Sequence, residues 1–160
     1  MRLRKIEESD NRIIAGIIRS NLKAVGLDIP GTAYYDESLD NLSEYYLKNP
    51  QKRFYYIATD DEGKVIGGVG IADIRLFDDC AELQKLYLSD KAKGHGFSLL
   101  MMKAAEDKAL ELGYKRIYLE THTVLEAAIC LYEKLGYKNI EKPVGIVHSA
   151  MNRFYLKELG

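Results

Sequence analysis

The six residues Lys91-Ala92-Lys93-Gly94-His95-Gly96 set two cations and two glycines immediately ahead of a helical pattern, a composition suited to holding a phosphorylated ligand. Backbone N–H groups at the start of a helix lack intrahelical acceptors and lie at the positive end of its dipole. A phosphate placed there collects several hydrogen bonds at once. Gly94 and Gly96 let the main chain approach closely, and Lys91 and Lys93 add charge that suits a diphosphate better than a single carboxylate. The plain alternative is a tight turn with solvated lysines. Two nucleotide motifs fail here on residue count. A dinucleotide fingerprint needs a third glycine where this chain has Leu99, and a P-loop needs wider glycine spacing followed by Lys-Ser or Lys-Thr, where it has Phe97-Ser98.

The elements around this turn are legible from their patterns. Residues 81–88, AELQKLYL, read as a strand feeding the turn, and residues 97–112 as a long helix closed by Gly113. Upstream, 2–6 is a short strand, and Asp10 can cap a helix with the apolar stripe Ile13, Ile14, Ile17, Ile18 and Leu22, ended by Gly26. The segment 27–38 carries Pro30 and Gly31 and reads as a loop, followed by a second short helix from Leu39 to Lys48. Strands at 53–60 and 64–74 flank the turn Asp61-Glu62-Gly63 as a hairpin. Gly67, Gly68 and Gly70 in the second of them could mark a bulge or a close ligand approach, and the favoured reading is a strand packed tightly beneath a helix. Residues 115–121, 137–141 and 150–156 supply three more strands. Strand, two helices, three strands, helix, strand, helix and two strands make a single α+β domain over 1–160 with a mixed central sheet.

Composition narrows the classes further. A net charge of −1 gives no global pull toward nucleic acid or an anionic membrane, so neither is an expected partner. The N-terminal MRLRKIEESD lacks the apolar core of a secretory signal, and no apolar run is long enough to span a bilayer, which predicts a cytoplasmic protein. Cys80 and Cys130 have no CxxC spacing and no clustered His, so no metal is expected.

A second segment, residues 121–137, reads THTVLEAAICLYEKLGY. Thr123 and Glu126 stand at capping-box spacing, Ala127, Ala128, Leu131 and Leu135 fall on one helical face, and Gly136 supplies the stop. Cys130 faces inward on the same periodicity. Together KAKGHG and AxxLYEKLGY resemble the pyrophosphate turn and the second conserved helix of the GNAT superfamily of acyl-CoA-dependent N-acetyltransferases. The chain departs from that pattern at Lys91, where Gln or Arg is usual, and at Leu125, where many relatives carry Asn.

The resemblance implies a mixed, mostly antiparallel sheet with helices on both faces and its fourth and fifth strands splayed to admit acetyl-CoA as co-substrate. It places cofactor-binding positions at Leu86 and Leu88, through their main chain, and across Lys91, Lys93, Gly94, His95, Gly96, Phe97 and Ser98. His95 is expected to contribute backbone only. It also puts Tyr132 at the general-acid position beside the CoA sulfur and Glu82 at the position of a base for the attacking amine. His122 is the alternative base on the strength of its ordinary pKa near ~6.5; His148 receives no role.

The implied reaction moves an acetyl group to a primary amine of a small molecule or peptide by direct attack in a ternary complex. Asp36 and Glu37, with Tyr34, Tyr35, Tyr45 and Tyr46, lie in the region that would meet the acceptor. A homodimer is left open. The competing expectation is a non-catalytic acyl-CoA-binding sensor or partner module of the same fold, against which the retention of Tyr132 argues.

Overall fold

The computed structural model describes residues 1–160. The strands are β1 (Arg2–Lys5), β2 (Phe54–Thr59), β3 (Val65–Asp73), β4 (Cys80–Leu88), β5 (Arg116–Thr121), β6 (Lys138–Ile140) and β7 (Arg153–Glu158), of which β2 and β3 carry the most β-branched and aromatic residues. They make one sheet in the order β1-β2-β3-β4-β5-β7-β6. Every neighbouring pair is antiparallel except β4 with β5. The hairpin between β2 and β3 is as expected, its turn held by Asp60 Oδ1, which accepts from the Glu62 and Lys64 N–H groups.

Strand β3 is a near-continuous apolar run because both of its faces are covered. On one side α1 (Asn11–Ala24) buries Ile14, Ile18 and Leu22, and α2 (Leu42–Leu47) buries Leu42 and Tyr46. On the other, α3 (Phe97–Glu111) buries Met101, Met102, Ala105 and Ala109, and α4 (Glu126–Lys134) adds Tyr132. Truncating either buried methionine of α3 to alanine would cost about 2–5 kcal/mol, enough to loosen the platform under the turn that precedes the helix.

Several local expectations are corrected. Asp10 does not cap α1 with its side chain; it takes two hydrogen bonds from the Arg4 guanidinium and one from the Glu7 N–H. Ile13 lies outside the buried stripe and is exposed. The second helix begins as a 3-10 turn at Leu39–Asn41. Thr123 and Glu126 form no capping box, because the Thr123 N–H is taken by Asn152 Oδ1 and the helix starts after Leu125 without a side-chain cap. Cys130 is exposed rather than inward. The last strand starts at Arg153, three residues later than the expected strand at 150–156.

The strand glycines are indeed tightly packed, against tyrosines. A Cβ at Gly70 would collide with the rings of Tyr46 and Tyr55, and one at Gly68 with Tyr55. At Gly67 it would strike the Tyr87 carbonyl of β4. Only the Tyr46 contact comes from a helix.

The feature that makes a site is the parting of β4 from β5. They pair in parallel at Cys80–Arg116, Ala81–Ile117 and Glu82–Tyr118 and then separate, although β4 runs on to Leu88. Between the pairs Gly70–Gln84 and Gly68–Tyr87, one residue of β3 opposes two of β4, Lys85 and Leu86. This is a β-bulge, and Lys85 adopts a left-handed φ of 50° within it. Bulges bend a strand and re-aim its side chains, which turns the second half of β4 away from β5.

Candidate active site

A cleft of about 660 Å³ opens in the gap between the two strands. At the end of β4, residues 90–92 form one 3-10 turn that buries Ala92 as an anchor, and the chain then passes through Gly94 and Gly96 at φ values of 79° and 75° into α3. That left-handed entry has a direct consequence for the main chain. The N–H groups of residues 94–99 find no acceptor within the protein, and the first helical bond is Leu100 N–H to Gly96 O at 3.4 Å. Six consecutive free donors at a helix N-terminus can bind a diphosphate without any side chain.

Lys93, Gly94, Gly96 and Ser98 line the cleft. Lys93 also pairs with Asp90 at 2.7 Å, so its charge is partly met before any ligand arrives. Lys91, His95 and Phe97 belong to the turn without lining the cleft; the His95 ring stacks on Phe97 at 5.5 Å. Leu86 and Leu88 form the β4 wall. The Leu88 carbonyl accepts from Asn21 Nδ2 at 2.8 Å, which ties α1 to that wall, and the Lys85 carbonyl in the bulge accepts from the Tyr55 hydroxyl at 2.8 Å.

Tyr132 and Glu82 meet in this same cleft. The Tyr132 ring packs near those of Tyr137 and Tyr155, with centroids 6.0 and 6.3 Å away, while its hydroxyl makes no hydrogen bond within the chain. Burial pushes this phenol well above its ordinary pKa of 10, so it is a proton donor that stays un-ionised. Glu82 Oε2 accepts from Gln84 Nε2 at 2.7 Å, and Gln84 Oε1 in turn accepts from the Tyr46 hydroxyl at 2.6 Å. Burial raises the Glu82 carboxyl above 4.5, and the single amide donor does not cancel that cost.

His122 is not brought to the cleft. Its neighbours Thr121 and Val124 line the cleft but His122 does not, and its Nδ1 accepts from the Val124 N–H at 3.2 Å. His148 is there instead, between two carboxylates, with Nε2 2.8 Å from Asp36 Oδ1 and Nδ1 3.1 Å from Glu120 Oε1. Lys85 Nζ lies 2.8 Å from Asp36 Oδ2, and the Tyr118 hydroxyl donates to Glu120 Oε2 at 3.1 Å. Burial alone would lower the His148 pKa, but Asp36 and Glu120 outweigh it and push the imidazole up to about 9. No local sequence signal marks this group, since Asp36 and His148 are 112 residues apart.

Free N–H groups at a helix N-terminus, a gap between two parallel strands and a largely buried phenol beside it fit an acyltransferase of the kind that draws its acyl group from a CoA thioester. Residues 9–137 match the model of the Acetyltransferase (GNAT) family, and the chain belongs to that family. It is 37% identical over 145 residues to the uncharacterized N-acetyltransferase YjgM of Escherichia coli strain K12, covering 89% of this chain and 85% of the relative. Its fold is similar to an acetyltransferase of the GNAT family from Staphylococcus aureus Mu50, with a TM-score of 0.86, 18% identity and 99% of each chain covered. It is also similar to the phosphinothricin acetyltransferase of Sinorhizobium meliloti solved with acetyl-CoA, with a TM-score of 0.77 and 21% identity over 99% of this chain and 88% of that one.

Proposed function

We propose that this chain transfers an acetyl group from acetyl-CoA to a primary amine of a small molecule or peptide, by direct attack while both substrates are bound. The observation that carries this reading is Tyr132: its ring is buried, its hydroxyl makes no hydrogen bond within the chain, and it lines the same cleft as the free N–H groups of residues 94–99. A module that only bound CoA would have no use for a proton donor in that place.

Amide formation from a thioester needs a neutral amine, a donor for the carbonyl oxygen as it becomes negative, and a proton for the departing thiolate. An amine with a pKa near ~10 is almost wholly protonated at neutral pH, so its proton must be removed first. Glu82 takes that role, directly or through a water, its basicity raised by burial. Main-chain groups around the Leu86 bulge hold the pantetheine arm and present an N–H to the carbonyl oxygen. Tyr132 delivers the proton to sulfur as the carbon–sulfur bond breaks. The backbone of residues 94–99 holds the diphosphate, with Lys93 nearby.

The test is a panel of primary amines assayed for thiol release from acetyl-CoA. Turnover with at least one amine, with the acetylated product confirmed by mass, is expected. A flat panel alongside intact CoA binding would replace the enzyme with the binding module.

A further inference from the structure

The acceptor end of the cleft is sewn shut by side chains from three distant parts of the chain. Strand β4 runs from Glu82 toward the phosphate turn, so the turn and Glu82 lie at opposite ends of it, about 20 Å apart at ~3.3 Å per residue. Glu120 lies two residues beyond Tyr118, the β5 partner of Glu82, and thus beside the reacting end. His148, in the 141–152 connection between β6 and β7, reaches that point and bridges Glu120 to Asp36 of the 27–38 loop. Main-chain bonds support the closure on both sides: Ala150 N–H to Gly31 O at 3.0 Å and Asn152 N–H to Thr121 O at 3.1 Å.

The charges in this network alternate, Lys85 to Asp36 to His148 to Glu120, and cancel in pairs. Glu82, by contrast with Asp36 and Glu120, meets only the Gln84 amide and has no cation. We propose that His148 is a specificity-determining residue, latching the 141–152 connection across the acceptor end so that the cleft takes a compact amine with one ammonium group and excludes peptides. Such an acceptor matches the uncompensated Glu82, whereas a peptide chain leaving the reacting amine would have to pass between Asp36 and Glu120, where the imidazole sits. This inference rests on the reaction proposed above and narrows its acceptor.

The test uses the compact amines that score in the thiol-release panel, each beside a derivative extended by three alanines at the end remote from the amine. The parent should favour the compact member by about tenfold or more in kcat/KM, a contrast set by access. His148→Ala should shrink that ratio about tenfold, mainly through a lower KM for the extended member, because kcat depends on groups the latch does not touch. In the same variant, amide hydrogen exchange over residues 144–151 should speed up, led by the Ala150 N–H. Asp36→Asn, which keeps the shape and removes the charge, provides the same readouts if His148→Ala folds poorly. Unchanged exchange, or an unchanged ratio with faster exchange, would overturn the latch. A flat amine panel with CoA still stabilising the fold would instead bring down the reaction, and the acceptor restriction with it.

Discussion

Replacing Tyr132 with Phe separates chemistry from folding with a single oxygen atom. The ring stays in its place beside Tyr137 and Tyr155, and the lost hydroxyl breaks no hydrogen bond within the chain. Stability should therefore move by no more than about 0.5 kcal/mol, the range of a substitution that removes no contact. For a domain of this size that is roughly a 2 °C change in Tm. Acetyl-CoA affinity, read as the thermal shift on titration, should be equally untouched. Turnover is the exception, since losing a general acid lowers rates by roughly 10²- to 10⁴-fold, or about 2.7–5.4 kcal/mol of barrier. The loss belongs in kcat, because the proton is needed only as the thiolate leaves. Thiol release at saturating acceptor, with acetyl-CoA varied, measures it directly. A variant that turns over at the parent rate refutes the assignment and makes Tyr132 a packing residue.

The phosphate turn, the base and the fold each offer a further check. A Cβ at Gly94 or Gly96 meets no atom within 4 Å, so Gly94→Val or Gly96→Val strains only the left-handed backbone, by about 1–2 kcal/mol, while abolishing the thermal shift caused by CoA; unchanged CoA affinity in both would remove the turn from the site. Glu82→Gln should cut kcat/KM by roughly 10²-fold or more and erase the acidic limb of the pH profile, which in the parent lies above the ordinary carboxylate range because burial raises Glu82. A limb that persists in the variant belongs to another group. Burial works to raise Asp10, but the Arg4 guanidinium and the Glu7 N–H outweigh it and hold the carboxyl below 3.8. Its stabilisation is present above the unfolded value and lost as pH falls through the folded one. Asp10→Asn should therefore cost about 2–3 kcal/mol at neutral pH and weaken the acid limb of stability, as read by urea unfolding at several pH values.

What the sequence disclosed and what it concealed divide by the range of the interactions. The turn with its free N–H groups was legible because the function proposed for it is carried by consecutive backbone groups, and the two glycines that shape it lie in one six-residue stretch. The succession of elements along the chain followed from apolar patterns and turn residues, as in the 60–64 hairpin. Tyr132 was found through a local motif around it. Helix starts were less secure: the Thr123–Glu126 spacing is right for a cap, yet Asn152, from just before the last strand, takes the N–H that spacing would have used. Cys130 misled for a related reason, since α4 rests on the sheet by a narrow stripe around Tyr132 and leaves its neighbours in solvent. His148 had no signature at all. A histidine acquires its character from what surrounds it, and both of its carboxylate partners arrive through tertiary folding.

The Lys85 bulge connects the legible part of the site to the hidden part. A left-handed φ on a lysine costs about 1–2 kcal/mol, so something must hold it there. Three contacts do so: the Tyr55 hydroxyl on the Lys85 carbonyl, the close approach of Tyr55 to Gly68 and Gly70 on β3, and the ion pair from Lys85 to Asp36. The same distortion has two outcomes along one strand. It bends β4 away from β5, opening the gap in which Leu86 and Tyr132 face the cleft, and it aims the Lys85 side chain at the loop that carries Asp36. The strand glycines are therefore part of the site's support, because any side chain at Gly68 or Gly70 would displace the tyrosine that braces the bulge. Local geometry that looks like a defect in the ladder thus shapes the gap on one side and anchors the network around His148 on the other.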